Sequence, residues 1–296
     1  MNNNFLKFKS IFLTIIIIFC IQCYFYQTVI CEEHTTSSIY VDITGKGNFS
    51  TIQDAIDNAK TGDIIYAGNG TYHENLVIDK SIILIGENKT NTIIDGRLAG
   101  NVIKINSNNV EIQNFTIQNS GIYFPNSGIN ITSRYNIIKF NIIKNNLYGI
   151  ILYDSSNNTI QNNIIKENKN CGIYLSNSSA NFISNNTVKD HNFNGVGIYD
   201  QSNYNVLKNN IFFNNGYCGV NIKISSMNEI ILNNISNNYI GIHIPPDENN
   251  IDENYYSNNN VDIDKENLSP GFELVLLIIS TLIISLLLWK RKKIVL

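Results

Sequence analysis

Three aspartates that recur at nearly equal intervals are candidates for acid–base chemistry: Asp154, Asp200 and Asp247. Two carboxyl groups about 6.5–9.5 Å apart can act as general acid and general base in an inverting glycoside hydrolase. Aspartate is also favoured in turns, because its carboxylate bonds to nearby backbone N–H groups. The three residues are therefore weak catalytic candidates, and a role in turns is the simpler interpretation.

A second possible chemistry is proton abstraction from a uronate sugar. It needs Lys, Arg or His as the base, beside a group that neutralises the sugar carboxylate. Lys223 and His243 come nearest to such a pair, and Arg97 and Arg134 are the arginines that precede the C-terminal tail. Two solvated surface residues would give the same pattern, so the sequence does not establish a lyase site.

These residues lie within a repeat of about 22 residues. A unit of this length cannot bury its apolar side chains alone, whereas stacked units form a continuous core at about 4.8 Å per unit. The repeat predicts an all-β fold, a right-handed single-stranded parallel β-helix, or solenoid. A glycine followed by an apolar residue opens a short strand in each unit: Gly128, Gly149, Gly172, Gly197, Gly219 and Gly241.

Asparagines recur at three fixed offsets in each unit. Further asparagines stand five residues before and five residues after each asparagine of the central column. His191 replaces the asparagine at one position of the third column. We assign Asn109, Asn114 and Asn119 of an earlier coil to the same columns. Asparagine tolerates left-handed backbone, and its amide can bond to the next coil, so we expect these columns at the turns. The central column holds Asn141, Asn163, Asn186, Asn210, Asn233 and Asn254.

Alternation along the first strand of each coil predicts which side chains point inward. We expect the positions one before, one after and three after the glycine to face the core. This places Cys171 and Cys218 inward and two coils apart, at about 9–10 Å, beyond the limit of about 7 Å between bridged Cα atoms. We predict two buried free thiols.

The side chains two and four residues after the glycine are expected to point outward. These outward positions predict a ligand-binding face. Tyrosine rings interleaved with amides suit sugars, which offer apolar C–H faces and hydroxyl edges. Tyrosine also favours strands, so plain surface packing remains the alternative. Tyr174 and Tyr199 are expected at the same offset in neighbouring coils. The predicted ligand-binding residues are Tyr153, Tyr174, Tyr199, Gln201, Asn221, Lys223 and His243.

Residues 49–96 resemble the N-terminal part of pectin-lyase-like β-helix proteins. Ser50 or Thr51 can cap a helix whose apolar face, beginning at Ile52, would cover the open end of the solenoid. Together with the asparagine-rich coils, residues 39–264 are similar to the NosD-like family of β-helix repeat proteins. The resemblance implies the fold but no single function, since the fold hosts lyases, hydrolases, epimerases, adhesins and copper-related accessory proteins.

The chemistry of two relatives does not transfer to this sequence. Thr51 to Gln53 and Gly70 to Glu74 resemble pectin methylesterases, but the catalytic segments of those enzymes are missing. Copper chemistry, which the NosD resemblance implies, draws on Met, His or Cys ligands, and Met227 and the four histidines are widely separated. We predict no metal site and no cofactor.

Both ends of the chain carry targeting features. Residues 1–31 predict a signal peptide, with Lys7 and Lys9 before the apolar run at 11–21. Residues 268–296 predict a C-terminal membrane anchor or sorting signal, in which an apolar run precedes a basic cluster at 290–293. The segment SPGFE at 269–273 resembles the PGF-type sorting signal of archaeal surface proteins.

The sequence therefore predicts one exported domain at 39–264, with a capping region at 49–62 and regular coils from about 76 to 264. A net charge of −3 on 296 residues gives no basic patch for nucleic acid. The leading hypothesis is a membrane-anchored surface protein that binds or presents glycans, with an envelope polysaccharide as partner and no catalysis. The alternatives are a polysaccharide-processing hydrolase or lyase and a copper-related accessory protein.

Overall fold

The computed structural model describes residues 36–245 and 248–265. The predicted signal peptide and the predicted C-terminal anchor both lie outside these residues. Among the residues that the structure describes, no helix is long and apolar enough to cross a membrane.

After the first strand, each coil contributes one strand to each of three parallel sheets, A, B and C, so every third strand is a neighbour in space. Sheet A contains β1 (Ser38–Val41), β2 (Ile64–Ala67), β5 (Ile83–Gly86), β8 (Glu111–Gln113), β11 (Ile137–Lys139), β14 (Thr159–Gln161), β17 (Phe182–Ser184), β20 (Val206–Lys208), β23 (Glu229–Ile231) and β26 (Asn250–Asp252). Sheet B contains β3 (Gly70–Tyr72), β6 (Thr92–Asp95), β9 (Thr116–Gln118), β12 (Ile142–Lys144), β15 (Ile164–Lys166), β18 (Thr187–Lys189), β21 (Ile211–Phe213), β24 (Asn234–Ser236) and β27 (Tyr255–Ser257). Sheet C contains β4 (Leu76–Ile78), β7 (Ile103–Ile105), β10 (Ser127–Ile131), β13 (Tyr148–Tyr153), β16 (Ile173–Ser176), β19 (Val196–Tyr199), β22 (Cys218–Ile222), β25 (Ile240–Ile244) and β28 (Val261–Lys265).

The predicted right-handed parallel β-helix is confirmed. Side chains at equivalent positions stack from coil to coil, as Ile138 pairs with Ile160 and Ile160 with Ile183. These aliphatic columns are fully buried and belong to one continuous core. Burial of apolar surface stabilises a coil only when a neighbour covers it, which explains why the units form a stack.

A short helix packs at the N-terminal end of the stack. Helix α1 spans Ile52–Asn58, and its buried residues Ile52, Ala55 and Ile56 join the solenoid core. Thr51 caps the helix, because its hydroxyl accepts a hydrogen bond from the Asp54 backbone N–H. The predicted capping helix thus forms, with Thr51 as the capping residue.

The predicted asparagine columns are confirmed as three buried ladders. In the central ladder the backbone N–H of Asn141 donates to Oδ1 of Asn163 at 2.9 Å, and Asn163 donates in the same way to Asn186. The Nδ2 group of Asn163 donates to the Ile138 carbonyl of the preceding coil at 2.8 Å. The side-chain amide of Asn163 therefore satisfies a buried backbone donor and a buried backbone acceptor of the preceding coil, at a bend where the sheets leave them unpaired.

The left-handed residue is not the ladder asparagine but the residue immediately before it. Phe140, Asn162 and Asn185 have φ between 55° and 58°, each just before a ladder asparagine. Our assignment of Asn109, Asn114 and Asn119 to the ladders is wrong for the same reason, since they are left-handed and Val110, Phe115 and Ser120 take the ladder positions.

The first-strand glycines face the core, which corrects part of the predicted alternation. A Cβ built on Gly149 would lie 2.3 Å from the Gly172 carbonyl oxygen and 2.7 Å from a methyl group of Ile165. The backbone bends here, so the residue before the glycine lies outside. Tyr148 and Cys171 pack with Ile151 in a cluster separate from the main core.

The strand register also corrects the assignment of one first-strand glycine. Ile173 pairs with Val196 and Tyr174 with Gly197, so Gly195 is the counterpart of Gly172. Tyr199 consequently pairs with Ser176, and Tyr174 and Tyr199 do not share an offset, contrary to our prediction. The prediction chose the wrong glycine because both Gly195 and Gly197 precede an apolar residue.

His191 interrupts the third ladder. Its Nδ1 accepts a hydrogen bond from the Asn168 backbone N–H at 3.1 Å, but its buried Nε2 makes no hydrogen bond of good geometry. Oδ1 of Asn215 in the following coil is also buried without a partner. Burial lowers the pKa of His191 from its ordinary 6.5 to about 4, so the folded protein holds the neutral ring.

We predict that His191→Asn stabilises the protein. The amide would restore the ladder on both sides, and each rescued buried polar atom is worth about 1–3 kcal/mol. Below pH 6.5 the unfolded chain binds a proton that folded His191 does not bind until about pH 4, so the wild type loses stability over this interval. Denaturant unfolding of both proteins at several pH values tests this. The variant should lack that part of the pH dependence, and equal curves would contradict the prediction.

We predict that Gly149→Ala destabilises the fold by about 1–3 kcal/mol, because the added methyl group meets backbone that cannot move aside. Gly68→Ala is the matched control, since its Cβ would approach no atom closer than 3.4 Å. The control should unfold within about 0.5 kcal/mol of the wild type. Equal losses of unfolding free energy in the two variants, measured by chemical denaturation, would disprove this explanation of the first-strand glycines.

Candidate functional site

Sheet C carries two outward rows of side chains, which we call the central row and the lateral row. Register pairs define the lateral row as Tyr153, Ser176 and Tyr199. The central row runs along the solenoid axis with one residue per coil, about 4.8 Å apart. Its members are Val77, Lys104, Asn130, Ile151, Tyr174, Gly197, Asn221, His243 and Asp264.

Four rings form an aromatic cluster on this face: Phe124, Tyr148, Tyr174 and Tyr199. Phe124 belongs to the loop that precedes β10, and its ring packs edge-on against Tyr148 at 5.8 Å and Tyr174 at 6.1 Å between centroids. Tyr174 lies 5.1 Å from Tyr199. Phe124 remains 56% exposed, so the cluster presents aromatic surface to solvent. Preferred edge-to-face and tilted geometries fix the rings relative to one another.

Tyr199 fills the gap that Gly197 leaves in the central row. A Cβ at Gly197 would lie 2.3 Å from the Tyr199 ring, so the ring occupies the place of the missing side chain. Its hydroxyl accepts a hydrogen bond from Nδ2 of Asn194 at 3.0 Å, and burial raises the pKa of Tyr199. Tyr199 thus belongs to the lateral row by register and to the central row by position.

Both cysteines of the described domain are buried free thiols, as predicted. Cys171 lies beneath the aromatic cluster rather than in the main core, so its predicted inward orientation is wrong. Burial raises the pKa of Cys171 to about 11 and that of Cys218 to about 12. Both groups are therefore neutral thiols and poor metal ligands at neutral pH.

The candidate aspartates are turn residues. Asp154 and Asp200 have φ of 51° and 55°, and Asn177 stands between them in the stack. Asp154 accepts a hydrogen bond from Asn177 and Asp200 one from Ser176 Oγ. Two coils separate the two residues, about 10 Å, which is just beyond the range of about 6.5–9.5 Å for an inverting pair. Asp247 lies outside the described residues.

A histidine–carboxylate pair stands near the C-terminal end of the central row. His243 Nδ1 lies 2.8 Å from Asp264 Oδ2, and the His243 side chain is largely buried. The register partner Asn221 is 2% exposed, and its Oδ1 has no hydrogen-bond partner. A carboxylate on Nδ1 orients an imidazole, as in acid–base sites.

The other predicted ligand residues lie less centrally. Tyr153 is 46% exposed at one end of the lateral row, and Lys223 is exposed at the end of β22. Gln201 is an exposed turn residue with φ of 59° and is not part of the face. Sequence reasoning missed Phe124, the outward Tyr148 and Asp264. For Asp264 the signal was available, because it follows His243 by one coil length.

These features define a right-handed parallel β-helix with an aromatic and amide-lined outer face. The chain belongs to the family described as periplasmic copper-binding protein (NosD), whose model matches residues 54–263. None of the curated proteins matches the chain.

Several solved structures share the fold at low sequence identity. Pectate lyase Pel9A has a TM-score of 0.59 at 13% identity, over 79% of each chain. Alginate lyase from Paenibacillus sp. str. FPU-7 has a TM-score of 0.56 at 13% identity, over 78% of this chain and 98% of that chain. The catalytic domain of a GH87 α-1,3-glucanase has a TM-score of 0.59 at 18% identity, and the match covers 70% of this chain but 43% of that chain.

The described residues do not fit a copper site. Copper draws on Met, Cys or His ligands in close groups. Within 36–245 and 248–265, no three His, Cys, Asp or Glu side chains converge to hold a metal ion. His191 is neutral inside a turn ladder, and His243 is already engaged with Asp264. The family description therefore does not locate a metal centre in this part of the chain.

We predict that Cys171 and Cys218 react with iodoacetamide only when the protein unfolds. Each thiol is buried and protonated, while alkylation requires an accessible thiolate. Mass spectrometry after non-reducing alkylation, with and without denaturant, should find both residues modified only in denaturant. A disulfide between them would overturn the coil assignment.

Proposed function

We propose that the protein is exported and binds a polysaccharide along the outer face of sheet C. The observation that carries the proposal is the aromatic cluster, in which the hydroxyl groups of Tyr148 and Tyr199 accept hydrogen bonds from the Asn170 and Asn194 amides on a regular β-sheet surface. Sugar rings stack their C–H faces on such rings, while their hydroxyl groups bond to neighbouring polar side chains.

The geometry favours an extended ligand. The central row repeats at about 4.8 Å along the axis, and adjacent coils cannot shift independently because the ladders join them. A rigid row of this kind suits a chain of repeating units, since little side-chain freedom is lost on binding. The names of the solved structures with this fold refer to pectate, alginate and α-1,3-glucan, which supports a polysaccharide ligand.

Export and anchoring belong to the same proposal. The signal-like segment at 1–31 and the apolar segment before the basic tail would place the β-helix outside the cell, held at the membrane. The periplasmic family description supports export. An envelope polysaccharide is then the accessible partner.

Tyr174→Ala should weaken polysaccharide binding several-fold. Tyr174 is half-buried at the centre of the cluster, and loss of one stacking ring costs about 1 kcal/mol. Affinity electrophoresis against a polysaccharide panel measures the effect, with Tyr255→Ala, an exposed tyrosine on sheet B, as the matched control. Tyr199→Ala should also weaken binding but lower stability as well, because that ring fills the gap at Gly197. If Tyr174→Ala and Tyr255→Ala bind like the wild type, the face is not the binding surface.

A second candidate function is polysaccharide processing at the same face, and the His243–Asp264 pair favours it. In this hypothesis His243 transfers a proton and Asp264 positions it. Incubation with the polysaccharide that the protein binds, followed by chromatography of the products, separates the two functions. An enzyme should release or alter sugar and lose most of this activity in Asp264→Asn, whereas a binding protein should form no product.

A further inference from the structure

A cavity of about 470 Å³ lies at the opposite end of the solenoid from His243. It lies between the ends of β1 and β2 and the loop 42–48, and it is lined by Tyr40, Asp42, Lys46, Tyr66, Gly68 and Glu87 among others. Its volume falls within the range of about 300–1,000 Å³ that small-molecule pockets occupy. The cavity belongs to sheet A, so it is separate from the outer face of sheet C.

One wall of the cavity is a stacked tyrosine pair. Tyr40 and Tyr66 are register partners in β1 and β2, and their rings lie 5.4 Å apart with an interplanar angle of 16°. Because β1 is the edge strand of sheet A, no further strand of that sheet covers Tyr40, which is 56% exposed. An ordered aromatic ring is thus available for a ligand.

The loop that forms the other wall is held in place by its own hydrogen bonds. The Tyr40 backbone N–H donates to Oδ1 of Asn48 at 2.8 Å, and the Asp42 N–H donates to the Phe49 carbonyl at 3.0 Å. Asp42 accepts hydrogen bonds from both the backbone N–H and the hydroxyl of Thr44. These bonds lower the pKa of Asp42 and keep it an anionic acceptor. The cavity is therefore preformed, which reduces the entropy lost on binding.

The polar groups of the cavity include both acceptors and a donor. Asp42 and Glu87 offer carboxylate oxygens, and Lys46 offers an ammonium group. The backbone N–H of Asn69 donates to Oε2 of Glu87 at 2.9 Å, which positions that carboxylate. A sugar hydroxyl both donates and accepts, so it can pair with either kind of group. A phosphorylated or acidic ligand would face two carboxylates, and a quaternary ammonium ligand would face Lys46.

We infer that this cavity binds a neutral sugar, stacked on Tyr40 and hydrogen-bonded to Asp42, Lys46 and Glu87. Gly68 forms part of the cavity wall, and its lack of a side chain leaves room for the ligand. A Cβ there would lie 3.4 Å from the Val41 carbonyl and 3.8 Å from Glu87 Oε2, so the Cβ itself meets no backbone conflict, and a side chain on this wall takes up room in the cavity.

Titration calorimetry of the full-length protein with maltose, cellobiose, lactose and mannobiose tests the inference. At least one of these sugars should bind, and Tyr40→Ala should weaken its affinity about fivefold. Gly68→Val should abolish the binding while the thermal unfolding midpoint stays close to that of the wild type. Tyr255→Ala, which removes another exposed tyrosine far from the cavity, should change nothing.

The inference fails if none of the four sugars binds, or if binding survives in both Tyr40→Ala and Gly68→Val. It also fails if glucosamine or digalacturonate, included as charged probes, binds the cavity more tightly than every neutral disaccharide. Tyr174→Ala separates this site from the proposed function, because it should leave disaccharide binding unchanged while it weakens polysaccharide binding at sheet C. The proposal for either site can therefore be disproved without affecting the proposal for the other.

Discussion

The structure depends on one repeated interaction, in which a backbone N–H at each bend donates to the side-chain amide of the next coil. Sheets pair their own backbone groups, but a chain that bends three times per coil leaves donors and acceptors unpaired at every corner. A buried asparagine satisfies one donor and one acceptor at once, as Asn163 does with Asn141 and the Ile138 carbonyl. Without these amides, each coil would leave several buried polar groups unpaired, at about 1–3 kcal/mol each.

The candidate functional surfaces follow from this constraint. Since the corners repeat, the strands between them stack in register, and any outward residue type becomes a row along the axis. The candidate functional features lie where these rows are interrupted. The loop that carries Phe124 brings an extra ring to sheet C, the replacement of a side chain by Gly197 lets Tyr199 fold over the row, and the edge strand β1 leaves Tyr40 uncovered.

The features that repeat could be predicted from the sequence, whereas the features that interrupt the repeat could not. The fold, the ladders and the free thiols follow from periodicity, and the capping helix follows from its capping residue and the apolar face that begins at Ile52. Periodicity could not show that the backbone bends at the first-strand glycine, so Tyr148 and Cys171 were assigned to the wrong side. It also could not choose between Gly195 and Gly197, because the deciding contact is the Tyr199 ring. The tyrosine pair at the cavity escaped notice because Tyr40 and Tyr66 come from the first strands, before the repeat becomes visible in the sequence.

The uniform ladders have a consequence for how the chain finds its structure. A stack of nearly identical coils could in principle assemble with one coil paired to the wrong neighbour, since a displaced asparagine meets the same partners. Departures from uniformity remove this degeneracy. Phe124 packs against Tyr148 and Tyr174 of later coils, so a coil paired with the wrong neighbour would separate these rings. The aromatic cluster is thus also a marker that identifies one coil among many, and it favours a unique alignment of the chain.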